Sequence, residues 1–284
     1  MWLKPTDAKF YYGGKKAVEY FNSMITERRK LKAFNNENKY EQQVKELDQK
    51  GYTKWSQVID HGLIDKIKEK LDYCIEKRQN LKVLDEHYAM IQDPFLHFDE
   101  AFEIATQDLL FDFATEYFNC LPGIGTFNLR KSFVNSLPPK ATQLYHCDRN
   151  SIKFFKFFIY LNDVDEPGDG PLTLIKSSNQ KRPVYFNQKH RWSDEELKIL
   201  YGEENITYMT AKKGDLIAAS TTCFHKGTKP TTRDRSMLTL NYVVHPELCG
   251  GVPWEYEKLF KVKESQYRSL SDGKKPLCDF LEKC

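Results

Sequence analysis

The 284-residue chain has no Cys-X-X-Cys pair; its seven cysteines (Cys74, Cys120, Cys147, Cys223, Cys249, Cys278 and Cys284) are scattered. An odd, unpatterned set argues against a disulfide framework and predicts reduced thiols in a cytoplasmic setting. No apolar run reaches the roughly 18 residues of a membrane span. The longest candidate, Phe154 to Leu161, carries Lys156 inside it. The opening Met1-Trp2-Leu3-Lys4-Pro5 has no apolar signal core, so no export signal is expected. Neither sign of charge dominates: 43 Lys and Arg against 40 Asp and Glu leave +3. That is far short of a nucleic-acid footprint, so no nucleic-acid partner is expected. Internal repeats, low-complexity runs and a phosphate-cradling glycine loop are all missing, and a CoA ester therefore has no specific support.

What is present fits an ordinary soluble domain, 40% hydrophobic and 29% charged. Residues 1–50 are polar and lysine-rich and read as a helical extension. Val18, Phe21 and Ile25 mark one amphipathic helix over 15–32, and 37–50 a second. Gly51 to Trp55 reads as a strand entering the main domain, 51–250. Asp60 caps a helix running to Lys77, with Ile64, Ile67, Leu71 and Ile75 on one face. A further helical pattern spans Phe98 to Phe118 and breaks at Pro122-Gly123. The period then changes to two. Strands are expected at 126–135, 141–147, 153–164, 172–175, 206–210, 216–220 and 236–244. Helices followed by many short strands predict a mainly β fold with α, a sandwich or jelly roll behind a helical layer. An insertion, 179–205, carries the capping box Ser193-Asp194-Glu195-Glu196. Residues 251–284 form a tail with Trp254, Tyr256 and Phe260, which covers the barrel mouth or serves a dimer contact. A monomer and a homodimer are both compatible with it.

The chemistry concentrates in His146-Cys147-Asp148 and in His225. Two residues apart on a strand, His146 and Asp148 point to one face. His225 can join them from a neighbouring strand. Two imidazoles and one carboxylate leave metal positions open, the usual ligand set of non-haem Fe(II) oxygenases. His97-Phe98-Asp99 has the same spacing but opens a helix, where its side chains diverge by about 200°. Asp99 reads there as a cap and His97 as an ordinary surface or packing residue. Arg235 leads a strand just beyond His225 and can grip a carboxylate bidentately. The co-substrate 2-oxoglutarate needs such a cation for its distal carboxylate, while its 2-oxo acid end chelates the metal. Arg233 is the rival; Arg235 is preferred because it leads the apolar strand directly.

The segments Gln143 to Asp148, Phe157 to Val164, Asp169 to Thr173, Gly214-Asp215-Leu216, His225-Lys226-Gly227 and Arg235 to Tyr242 follow one another in the order of a known family. Over roughly residues 51–245 the chain resembles the phytanoyl-CoA dioxygenase family. The resemblance implies a double-stranded β-helix and Fe(II)/2-oxoglutarate-dependent oxidation of a small-molecule substrate by O2, with release of succinate and CO2. It implies that His146, Asp148 and His225 are the iron ligands and that Arg235 anchors the co-substrate. It also implies an aromatic contact to the co-substrate from Phe158 and a hydroxyl from Thr228 helping Arg235. Lys176-Ser177-Ser178-Asn179 departs from the family, which often has a Pro-Gly-Ser-His type turn there. The His225–Arg235 gap is one residue shorter than in several members. A carboxylate at 148 fills the place a halogenase keeps for chloride, so hydroxylation is expected. Two other readings stay open: a cupin-like metalloenzyme without 2-oxoglutarate, and a non-catalytic binding protein.

Around this set, Gln143 reads as structural. Cys147 points away from His146 toward the core, and Cys223 shares the face of His225. His245 reads as a strand-end residue. Lys156 either enters the barrel mouth or extends to solvent. His190-Arg191-Trp192 is a candidate lid contact. The substrate itself is not legible.

Overall fold

The computed structural model describes residues 2–3, 14–30, 38–148, 153–183, 188–245 and 260–284. Trp254, Tyr256, Cys249 and residues 184–187 of the insertion lie outside the described residues, as do the side chains of Val18 and Phe21. The strands are β1 (Trp2–Leu3), β2 (Tyr52–Trp55), β3 (Leu81–Leu84), β4 (Tyr88–Ile91), β5 (Gly123–Ser132), β6 (Phe154–Tyr160), β7 (Leu172–Ile175), β8 (Arg182–Pro183), β9 (Ile206–Met209), β10 (Leu216–Ala219), β11 (His225–Gly227), β12 (Arg235–Val243), β13 (Lys261–Val262) and β14 (Glu282–Lys283). The helices are α1 (Gly14–Lys30), α2 (Glu41–Lys50), α3 (His61–Lys77), α4 (Pro94–His97), α5 (Asp99–Ala105), α6 (Asp108–Phe118), α7 (Asp194–Tyr201) and α8 (Glu264–Ser269).

Seven strands form one antiparallel sheet in the order β2-β10-β6-β12-β5-β4-β3, and β11-β7-β9 form a second. This is the double-stranded β-helix that the strand pattern and the family resemblance imply. Side chains alternate across the large sheet. Phe127 and Leu129 of β5, Phe155, Phe157 and Ile159 of β6, and Leu238, Leu240 and Tyr242 of β12 share one core cluster with apolar residues of α3, α5 and α6. The opposite face of β6, β10 and β12 gives Phe158, Tyr160, Ile217, Ala219 and Met237, which pack with Leu172 and Leu174 of β7 and Met209 of β9. The barrel interior therefore lies between the two sheets; α3, α5 and α6 cover the outer side of the large one, and α7 packs Leu197 against Ile175 and Phe224 beside the second.

Most expected elements form within a few residues of their predicted ends. Asp60 accepts a hydrogen bond from the Leu63 amide at 2.9 Å and starts α3, whose Ile64, Ile67 and Leu71 are fully buried. Ser193 and Glu196 close the capping box of α7. The helix expected over 98–118 is instead α5 and α6. Thr106 bonds its hydroxyl back to the Phe102 carbonyl at 3.0 Å, and Gln107 is extended. A β-branched residue satisfying a helix carbonyl with its own side chain ends the first helix there. The strand expected over 141–147 is a 3-10 turn at Ala141–Gln143 followed by single bridges at Tyr145 and His146. Gln143 accepts from the Lys140 amide at 3.1 Å within that turn. The β3–β4 hairpin has no counterpart in the sequence reading. Asp85 builds its turn by accepting from the amides of His87 and Tyr88.

The N-terminal segment shares the main core. Leu47 of α2 is fully buried there, and buried Arg28 of α1 donates to the carbonyls of Leu121, Pro122 and Pro276 and pairs with Asp279.

Phe113 of α6 sits at the junction of this layer, its ring centroid 4.9 Å from Trp55, 5.4 Å from Phe155 and 5.8 Å from Phe157. Phe113→Ala should lower unfolding stability by about 3–5 kcal/mol, measured by urea denaturation. A change under about 1 kcal/mol would mean that the helical layer does not brace the barrel.

Candidate metal centre

His146 and His225 face each other across one antiparallel bridge. The amide of each donates to the carbonyl of the other at 2.9 Å, and the ring centroids lie 4.3 Å apart. Each ring is oriented by the carbonyl two residues earlier. Nδ1 of His146 lies 2.9 Å from the Leu144 oxygen, and Nδ1 of His225 lies 3.0 Å from the Cys223 oxygen. A carbonyl only accepts, so Nδ1 carries the proton and Nε2 keeps its lone pair. Asp148 closes the triangle. Its Oδ1 is 3.7 Å from His146 Nε2 and its Oδ2 is 3.7 Å from His225 Nε2. The Asp148 amide donates to the Thr221 carbonyl at 2.9 Å. Ligand atoms of these three residues all fall within 4.8 Å of one another, the only such group among the described residues.

Burial, and then His225, push the His146 imidazole down to about 3; burial likewise lowers His225. Burial by itself would raise Asp148. The Lys156 ammonium, followed by the two imidazoles, outweighs it and holds the carboxyl well below its usual range. Lys156 Nζ lies 2.5 Å from Asp148 Oδ2. Lys156 thus turns into the barrel, the alternative the sequence left open. Two neutral imidazoles with free Nε2 atoms and one ionised carboxylate are the donor forms that a divalent metal requires.

Arg235 begins β12 and is 2% exposed. It donates to the Gly170 carbonyl and to Ser132 Oγ (3.0 Å), while its Nε has no partner. A Cβ placed on Gly227 would lie 3.5 Å from Arg235 Nη2. Gly227 is two residues past His225 on β11, about 7 Å along a strand. The guanidinium therefore lies about one strand repeat along β11 from His225. Arg233 is committed elsewhere: exposed, it pairs with Asp169 at 2.5 Å and Asp165 at 3.0 Å. Phe158 projects into the interior between Ile217 and Thr239. The Thr228 hydroxyl meets that of Thr173 at 2.6 Å, and the Ser132 hydroxyl accepts from Arg235. Ser132 is 103 residues away in sequence, and only the β5–β12 register brings it there.

The surrounding segments hold the bridge in place. Ser178, in the turn that departs from the family pattern, accepts from the Phe224 amide at 2.8 Å and so braces the residue before His225. The Trp192 amide donates to the Tyr145 carbonyl at 2.9 Å, and its ring stands edge-on to Phe224. The end of the insertion thus flanks the segment that bears His146. Cys147 Sγ accepts from Arg182, and Cys223 is buried in the interior cluster outside the ligand group. His97 is exposed, and Asp99 binds Lys263 and Gln266 rather than capping its helix.

Unfolded, His146 titrates at its ordinary 6.5; folded, it stays neutral down to about 3. Between these values the unfolded chain takes up a proton that the folded chain refuses. The stability contributed is therefore complete above 6.5 and lost progressively as pH falls toward 3. Metal-stripped protein should melt lower at pH 5 than at pH 7.5, with a shallower slope in His146→Gln. At pH 7.5 one equivalent of a divalent metal should raise the melting temperature of the wild type, and His225→Ala and Asp148→Asn should abolish that rise.

No family model and no curated protein sequence matches the chain. Solved structures do. HygX from Streptomyces hygroscopicus, with nickel, 2-oxoglutarate and hygromycin B bound, aligns at a TM-score of 0.54 and 14% identity, covering 71% of this chain and 86% of its own. The epimerase SnoN, in complex with Fe3+, alpha-ketoglutarate and nogalamycin RO, aligns at 0.56 and 13%, covering 72% and 82%. EctD from S. alaskensis, with bound Fe, aligns at 0.52 and 15%, covering 71% and 75%. At such identities the likeness is one of fold: this chain shares with them a double-stranded β-helix.

Proposed function

We propose that the protein is an Fe(II)- and 2-oxoglutarate-dependent dioxygenase, related to the phytanoyl-CoA dioxygenase group, that hydroxylates an unactivated C–H bond of a small-molecule substrate. The observation that carries this reading is the pairing of the His146–Asp148–His225 triangle with buried Arg235. Arg235 has no carboxylate partner among the described residues and lies about one strand repeat along β11 from His225. The two histidines and Asp148 hold the metal, and Arg235 with Ser132 takes the distal carboxylate of the co-substrate. Phe158 and Met237 close the apolar side of the interior and exclude water. Bound iron supplies O2 activation coupled to decarboxylation of 2-oxoglutarate; the protein supplies orientation and a dry cavity.

The metals and 2-oxo acids named for HygX and SnoN support the cofactor assignment. SnoN is called an epimerase and SnoK a carbocyclase, so one fold serves several outcomes. Product mass decides among them here, since hydroxylation adds one oxygen atom. No disulfide joins the six described cysteines, which supports a cytoplasmic setting, and no described helix is long and apolar enough to cross a membrane.

Purified protein with Fe(II), 2-oxoglutarate and O2 should release succinate, faster when a small-molecule panel contains a substrate. His225→Ala should abolish release. Arg235→Met should keep the metal but weaken 2-oxoglutarate by about thirty-fold to a few thousand-fold, the effect of losing about 2–5 kcal/mol from a buried charged contact. Anaerobic titration of the metal-to-ligand absorption band measures this. Equal 2-oxoglutarate affinity in the two proteins would rule out the co-substrate assignment.

A further inference from the structure

The inner faces of β5 and β12 are mostly polar where a lipid-binding barrel would be apolar. With Phe127 and Leu129 on the outer face, alternation turns Asn128, Arg130 and Ser132 of β5 inward. Register sets Asn128 beside Thr239 and Arg130 beside Met237. Asn241, two residues past Thr239, is fully buried beside Lys156, and neither atom of its carboxamide has a partner. Arg130 Nε is buried and unpartnered too. The Arg130 guanidinium lies over the Tyr88 ring at 5.2 Å and reaches Thr142 Oγ1 only at 3.3 Å. Among the described residues no carboxylate pairs with it. Burial lowers the Arg235 guanidinium and the Arg130 charge adds to that, the two guanidiniums being within electrostatic reach.

The charges in this interior do not balance. A divalent metal brings two positive charges, and Lys156, Arg235 and Arg130 bring one each. Asp148 is the only carboxylate paired with any of them among the described residues. The 2-oxoglutarate dianion would cancel two of the four charges left. A buried cation without a counterion is costly, and a guanidinium held over a ring is already ordered for an oxyanion.

We infer that the substrate is a polar molecule bearing an oxyanion — a carboxylate, phosphate or sulfate — and that Arg130 holds that group while the Asn241 carboxamide binds a polar substituent nearer the metal. This rests on the oxygenase reading and extends it to substrate class. A long acyl chain has no matching wall on β5 and β12.

The test uses nickel-loaded protein saturated with 2-oxoglutarate and titrated calorimetrically with sulfate as the oxyanion probe. The wild type should bind one further anion per chain. Arg130→Met should weaken sulfate at least tenfold and change 2-oxoglutarate affinity by less than threefold. Arg130→Gln, which removes the charge and keeps a polar end, gives the same reading if the Met variant fails to fold. No further anion in the wild type overturns the inference. So does a tenfold loss of 2-oxoglutarate affinity with sulfate binding retained, because Arg130 would then belong to the co-substrate. Should 2-oxoglutarate not bind the wild type at all, the oxygenase reading fails. The sulfate count without it should still drop by one on Arg130→Met, so the two ideas fail separately.

Discussion

The centre depends on one backbone pairing, the reciprocal amide–carbonyl bridge between His146 and His225. Two such bonds contribute little net free energy, about 0.5–1.5 kcal/mol each. Their importance is geometric. They fix two Cα positions face to face, and the carbonyls of Leu144 and Cys223 then fix the ring planes. A slip of one residue in either segment would turn its imidazole to the other side. The structure guards against slippage from several directions. β11 is in register with β7, His225 opposite Leu174. Ser178 holds the Phe224 amide, Trp192 holds the Tyr145 carbonyl, and Thr221 holds Asp148.

The two faces of the large sheet do opposite work. Its outer face is a continuous aromatic and aliphatic layer shared with the helices, and that burial stabilises the domain. Its inner face carries Lys156, Arg130, Arg235 and Asn241, groups whose desolvation opposes folding. Natural sites commonly carry such unfavourable groups where function needs them.

Legibility followed distance in sequence. The elements whose signals are local, such as the Asp60 cap, the Ser193 capping box and the apolar faces of α3 and β7, stand where the pattern puts them. His146, Asp148 and His225 could be paired because their chemistry is specific, even though 141–147 is not the regular strand that motivated the pairing. What escaped was set by register or by competing side-chain bonds. Ser132 meets Arg235 through a pairing that no spacing rule contains. Thr106 breaks one expected helix in two by bonding backward. The β3–β4 hairpin had a local signal, an Asp followed two and three residues later by the amides it accepts from, but short four-residue strands offer little periodicity to notice.

Arg233 and Arg235 show how little residue type says without its surroundings. They are two positions apart at the head of one strand, and alternation alone would send them the same way. Arg233 lies before the ladder begins, in a turn that brings Asp165 and Asp169 to it, and its charge is neutralised at the surface. Arg235 is the first paired residue of β12, so its stem is carried between the sheets, where among the described residues a carbonyl and a hydroxyl accept from it. Neutral acceptors satisfy some of a guanidinium's N–H groups but leave its charge uncompensated in a low-dielectric interior. The same deficit at Arg130 makes the inner wall a place for anions; a chain that placed acids opposite either residue would be more stable and would have no site there.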